Sequence, residues 1–141
     1  MLYKWIIILI VIVYFLGVHF AATAVPSKMA NAEVENAGLF DASAVTYRPA
    51  IKIDYNTHEL RHLTVKDNLE TGILILHNDV YANAKVIHSD ISNNYGNGIS
   101  TRYPFFSVSF CTLNNNMQSG FDYNPTKTTL ESLYLRAGKF V

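Results

Sequence analysis

The sequence predicts an all-β chain assembled by stacking, and three observations carry that expectation: a column of glycines each preceded by asparagine, local alternation of apolar residues, and a single cysteine. When three segments are written so that Gly72, Gly98 and Gly120 coincide, an asparagine stands four residues before each, at Asn68, Asn94 and Asn116. One residue after each glycine stand Ile73, Ile99 and Phe121; seven before stand Val65, Ile91 and Leu113; twelve before stand Leu60, Val86 and Val108. Three before, the large residues Leu69, Tyr95 and Met117 align. The glycines are 26 and 22 residues apart, too close for one unit to bury an apolar face alone, so neighbouring units must cover each other. Cys111 is the only cysteine, which excludes an intrachain disulfide framework and a multi-cysteine zinc site and leaves packing and backbone pairing to hold the fold.

The alternation of apolar residues (Leu63/Val65, Ile73/Ile75, Leu133/Leu135) between Asn/Gly corners reads as short strands joined by tight turns. A leucine-rich repeat has a similar period, but it needs a leucine-dense consensus and usually a helix in each unit. These units carry Asn and Gly instead. The predicted architecture is a right-handed parallel β-helix of about four incomplete rungs, preceded by a helical signal segment. The last rung comes from stepping 22 residues from Val108 to Leu130, which brings Leu133 and Leu135 opposite Cys111 and Leu113. A solenoid this short needs terminal caps, and none is visible after Leu135, so the expectation is the start of a longer array.

In chain order, the first element is residues 1–24. Lys4 precedes an uncharged apolar run from Trp5 to Val18, followed by Ala22-Thr23-Ala24 and Pro26. That is the pattern of a cleavable secretory signal cut after Ala24. The rival reading is an uncleaved anchor, because Trp5 to Val25 approaches the ~20 apolar residues that span a bilayer. Either sends the rest of the chain into the secretory pathway, to the outside of the cell or the outer face of its membrane. Residues 25–48 are small and polar without a sustained period, and read as a poorly ordered linker. Residues 49–141 are the repeats.

Composition narrows function. Lysine and arginine total 11, aspartate and glutamate 11, with no basic cluster, so the electrostatic footprint of a nucleic-acid binder is missing. The columns point to structure. Asn68, Asn94 and Asn116 are expected to form a ladder, each side-chain amide bonding to its equivalent one rung away at ~4.8 Å. Gly72, Gly98 and Gly120 are expected at a corner that is crowded or needs positive φ.

A β-helix enzyme would place paired carboxylates, or several aspartates around a metal, on adjacent rungs. No acidic column recurs: Asp67 aligns with Asn93 and Asn115, Asp90 with Thr64 and Thr112, Glu70 with Gly96 and Gln118, and Asp122 with Leu74 and Ser100. Asp67 and Asp90 on neighbouring columns read as turn caps or solvated groups. The expectation is a chain without catalytic residues, cofactor or metal. His62 and His88 share a column with Phe110, which reads as an aromatic stack sooner than as a two-histidine metal site. Cys111 shares a column with Leu63 and Ser89 and reads as a buried thiol. Tyr103, Phe105 and Phe106 either form a contact surface or tuck against the side of the stack.

The pattern of Val86–Ile99 and its successor in Val108–Phe121 resembles the repeat of pectin-lyase-like β-helices. The run Asn93–Tyr103 (NNYGNGISTRY), with Tyr47–Tyr55 (YRPAIKIDY), resembles the β-helix region of the bark beetle protein family, also called Anakonda, of insect epithelia. That resemblance covers about residues 45–141. It implies a non-enzymatic extracellular scaffold or adhesion segment of a tricellular or septate junction, with cell-surface proteins or glycans as partners and no nucleic acid. The family also carries scavenger-receptor and lectin-like modules and a membrane span, and none of these is visible in these 141 residues, which fits a fragment. The alternative from the broader resemblance is a carbohydrate-binding or carbohydrate-cleaving β-helix.

Overall fold

The structure is a computed structural model that describes residues 17–41, 46–76, 83–102, 106–123 and 139–140. The described residues are all-β, and three of their sheets are parallel. The chain visits the three sheets in a fixed order and then repeats the circuit. The first circuit is β1 (Val18–Phe20), β2 (Lys28–Ala30) and β3 (Glu33–Glu35), followed by an antiparallel hairpin of β4 (Leu39–Asp41) and β5 (Thr46–Arg48). The next is β6 (Ile51–Ile53), β7 (Glu59–Arg61) and β8 (Thr64–Lys66); then β9 (Ile73–Ile75), β10 (Ala84–Ile87) and β11 (Asp90–Ser92). The last described strands are β12 (Ile99–Thr101), β13 (Phe106–Ser109), β14 (Thr112–Asn114), β15 (Phe121–Tyr123) and β16 (Lys139–Phe140). The sheets run β1-β6-β9-β12-β15, β2-β7-β10-β13 and β3-β8-β11-β14-β16, an arrangement compatible with a parallel solenoid.

The register reproduces the aligned columns. Val86 pairs with Leu60 and Val108, Ile91 with Val65 and Leu113, and Ile99 with Ile73 and Phe121. Most strands are three residues long and carry one or two inward apolar side chains; Ile51, Ile53, Leu60, Val65, Ile73, Ile75, Ile91, Ile99 and Leu113 are all fully buried. At roughly 1.5–3 kcal/mol for each buried aliphatic side chain, stability comes from these stacked columns, because a three-residue strand has no stability of its own.

Several expectations change. Lys28–Glu35, read as linker, forms β2 and β3, which pair in register with β7 and β8. Each of these strands presents one inward residue, Met29 or Val34, which is too brief a pattern to register as periodicity; the strands exist because the next circuit templates them. Residues 1–16 lie outside the described residues, but the segment Gly17–Ala24, read as the end of a helical signal, is β1 and a turn. Among the described residues no helix is long and apolar enough to cross a membrane. Opposite Leu113 stands Phe140, not Leu135, so the spacing between circuits is elastic. Leu130, Leu133 and Leu135 lie outside the described residues.

Candidate functional site: an asparagine ladder and exposed corner columns

The corner between the third and first sheets is built the same way in each repeat. A residue with positive φ (Asp67, Asn93, Asn115, all near 50°) reverses the chain, a conformation that Asn and Asp adopt at lower cost than other side chains. This aims the following asparagine inward. Asn68 and Asn94 are fully buried. Asn68 Nδ2 donates to Asn94 Oδ1 at 2.8 Å, and Asn94 Nδ2 donates to Asn116 Oδ1 at 2.9 Å. The second hydrogen of each amide goes to a backbone carbonyl one circuit back: Asn68 to Val34, Asn94 to Val65, Asn116 to Ile91, at 3.0–3.1 Å. Each Oδ1 also accepts a backbone N–H, from Ala37, Asn68 and Asn94 for Asn68, Asn94 and Asn116 in turn. The ladder leaves no amide of Asn68 or Asn94 unspent, which is what burial demands.

Of the two reasons offered for the glycine column, crowding is the one that applies at Gly72 and Gly98. A Cβ on Gly98 would sit 2.5 Å from the Gly120 carbonyl oxygen and 2.7 Å from Asn116 Nδ2; on Gly72 it would meet the Gly98 oxygen at 2.8 Å. Glycine therefore lets the ladder and the adjoining backbone approach closely.

The corner between the second and third sheets is two residues long. The first (Asn31, His62, His88, Phe110) has positive φ and the second (Ala32, Leu63, Ser89, Cys111) turns inward. His62 and His88 stack with ring centroids 5.3 Å apart at 8°, and His88 stacks on Phe110 at 4.8 Å and 11°. Parallel rings at this distance do not converge their nitrogens on one point, as metal ligation requires. Among the described residues no group of three or more His, Cys, Asp and Glu is placed to hold a metal ion. Cys111 Sγ donates toward the Val86 and Ser109 carbonyls at 3.4 and 3.3 Å, and burial pushes its pKa up beyond what the contacts with the Ser89 and Ser109 backbone offset.

Asp67 is exposed at its corner and Asp90 points outward from β11. Phe106, one of three residues considered for a contact surface, is fully buried: β13 begins there, and its ring tilts against Phe121 at 5.3 Å. Tyr103 and Phe105 lie outside the described residues. The exposed apolar column is instead Leu69, Tyr95 and Met117, at 49%, 63% and 70% exposure. Their alignment was visible in the sequence; their outward direction was not, because it follows from the positive-φ residue two positions earlier.

Two polar clusters escaped sequence reasoning. His19 Nε2 lies 2.6 Å from Asp54 Oδ2, and Lys52 Nζ 2.9 Å from Asp54 Oδ1. Burial alone raises the Asp54 pKa, but the bonds and charges of Lys52 and His19 outweigh it and hold the carboxyl below its ordinary value. His58 is fully buried, accepts the Ser27 N–H at Nδ1 over 3.1 Å and packs against Phe20 at 4.7 Å. Burial lowers its pKa more than the Tyr55 backbone raises it. Both clusters join residues more than thirty positions apart, which no local motif records.

With the ladder and its corners in place, the comparison with known proteins finds one relative. The chain resembles Protein bark beetle of Drosophila melanogaster. The two are 32% identical over 118 residues, which is 82% of this chain. The same stretch is only 4% of Protein bark beetle, so the chain corresponds to a small part of it. No protein-family model and no solved structure matches the chain.

Proposed function

We propose that the chain is a right-handed parallel β-helix segment serving as a non-catalytic extracellular scaffold in a cell-junction protein. The observation that carries this reading is the similarity to Protein bark beetle across most of the chain. The disposition of side chains supports it: the recurring asparagines and glycines are consumed by backbone and by one another, while the recurring outward positions are contact-type residues such as Leu69, Tyr95 and Met117. A chain built this way acts by presenting a surface. The test is expression of the tagged full chain in cultured insect epithelial cells. Enrichment of the tag where cells meet is expected; a uniform or intracellular distribution would remove the junction reading.

A second reading, carbohydrate binding, draws on Tyr95 and Phe110, which are 63% and 64% exposed and available for stacking on sugar rings. Saturable binding on a glycan array would favour it, and turnover of a polysaccharide would displace the scaffold reading altogether.

A further inference from the structure

We infer that Gly17–Ala24 are an integral part of the folded domain, and that the small-residue segment Ala22-Thr23-Ala24 is a turn of the first circuit and not a processing site. The first support is register. Val18 pairs with Ile51 and Phe20 with Ile53, which in turn pair with Ile73 and Ile75. Gly17 therefore falls in the column of Gly72, Gly98 and Gly120, with Ala50 between, and a Cβ on Gly17 would sit 2.4 Å from the Ala50 oxygen. The repeat thus begins at Gly17, inside the segment that reads as a signal.

The second support is the bonding of the turn itself. Ala24 N–H donates to the Ala21 carbonyl at 2.9 Å, closing a four-residue turn. The Ala24 carbonyl, at the peptide a signal peptidase would cut, accepts from Asn56 Nδ2 at 3.1 Å. Val18 N–H donates to Ala50 and the Phe20 carbonyl accepts from Asp54 N–H, at 2.8 and 3.0 Å. The His19–Asp54 hydrogen bond and the Phe20–His58 ring contact fasten the strand from outside and inside the sheet. A cut after Ala24 would release all of these and leave the edge of β6, with the buried Ile51 and Ile53, uncovered.

Any removal of the apolar N-terminus that leaves the first circuit whole must fall at or before Gly17.

The experiment uses the full chain with a C-terminal tag, purified from insect cells, and does not depend on the junction reading. Hydrogen exchange is expected to find Val18–Phe20 and Ile51–Asp54 as protected as Ile73–Ile75, and peptide mapping of the folded product to find Val18–Ala24 still attached. Phe20→Asp is expected to lower Tm by several degrees, whereas Val25→Asp, at an exposed position of the same loop, leaves it unchanged. A folded product starting at Val25 overturns the inference. So does rapid exchange at Val18–Phe20 beside a protected Ile73–Ile75, or a Phe20→Asp chain as stable as the parent.

Discussion

Asn94 bonds to Asn116 twice through a single oxygen: Asn116 Oδ1 accepts the Asn94 side-chain amide at 2.9 Å and the Asn94 backbone N–H at 3.1 Å. Asn68 bonds to Asn94 in the same way, donating its backbone N–H and its side-chain amide to Asn94 Oδ1. Each asparagine is therefore both a donor to one neighbour and the acceptor that satisfies the other, and removal of one strands groups on both sides.

Asn94→Ala should cost about 3 kcal/mol or more, because it leaves Asn68 N–H, Asn68 Nδ2 and the Val65 carbonyl buried without their partners, each worth roughly 1–3 kcal/mol when unsatisfied. Asn116→Ala should cost less, since Asn116 is only half-buried. Denaturant titration of the two variants compares them directly; equal and small effects would mean that the ladder does not hold the stack.

Gly98→Ala should lower stability by about 1–3 kcal/mol through overpacking. The added methyl meets the Gly120 carbonyl, which is backbone and cannot rotate away. Thermal unfolding reads this, and a variant as stable as the parent would show that the corner is looser than described.

Acid should weaken the fold in two stages. His58 has a lowered pKa, so its contribution is present above the unfolded histidine value of ~6.5 and is lost as pH falls through its lower folded value. Asp54 is also lowered, and its contribution is present above the ordinary carboxylate value of ~3.9 and lost as pH falls further. Unfolding measured from pH 8 to 3 should show His58→Phe flattening the upper stage and Asp54→Asn the lower. A pH profile that neither substitution alters would contradict both assignments.

Cys111 should be inert in the native state. It is 1% exposed and its thiol is held protonated by burial. A maleimide should label it slowly in buffer and rapidly in denaturant, and fast native labelling would place the side chain outside.

Zinc should leave the melting temperature unchanged, because the His62 and His88 rings are parallel and 5.3 Å apart. A zinc-dependent rise that His62→Ala abolishes would show that the rings turn to share an ion.

The parts of the fold legible in the sequence are those that repeat. Leu60, Val86 and Val108, or Asn68, Asn94 and Asn116, announce their columns because the same physical demand recurs at each circuit, and their pairings emerge in the expected register. What was illegible occurs once. Met29 and Val34 complete columns from inside a polar stretch, with one inward residue per strand. Val18–Phe20 was masked by its neighbours, since an apolar strand that follows an apolar leader looks like more leader. Phe106 stayed undecided between surface and stack for a related reason: in the run Tyr103-Pro104-Phe105-Phe106 nothing marks where β13 starts, and a single residue decides between surface and core.

The three corners of the circuit differ in what they permit. Between the second and third sheets the connection is two residues in every described circuit, including His62–Leu63 and Phe110–Cys111; between the third and first sheets it is six where a ladder asparagine stands, as in Asp67–Gly72 and Asn93–Gly98, whereas the first circuit inserts the β4–β5 hairpin there. Between the first and second sheets the connections differ at every circuit, from Ala21–Ser27 through Asp54–His58 to Leu76–Asn83, and the strands on either side keep their register. Length is thus constant along the second-to-third ridge, constant along the ladder ridge only where the asparagine is present, and a free variable along the remaining ridge. An epitope or binding loop could be grafted on that ridge without disturbing the frame, and related chains should diverge there first, in length before composition.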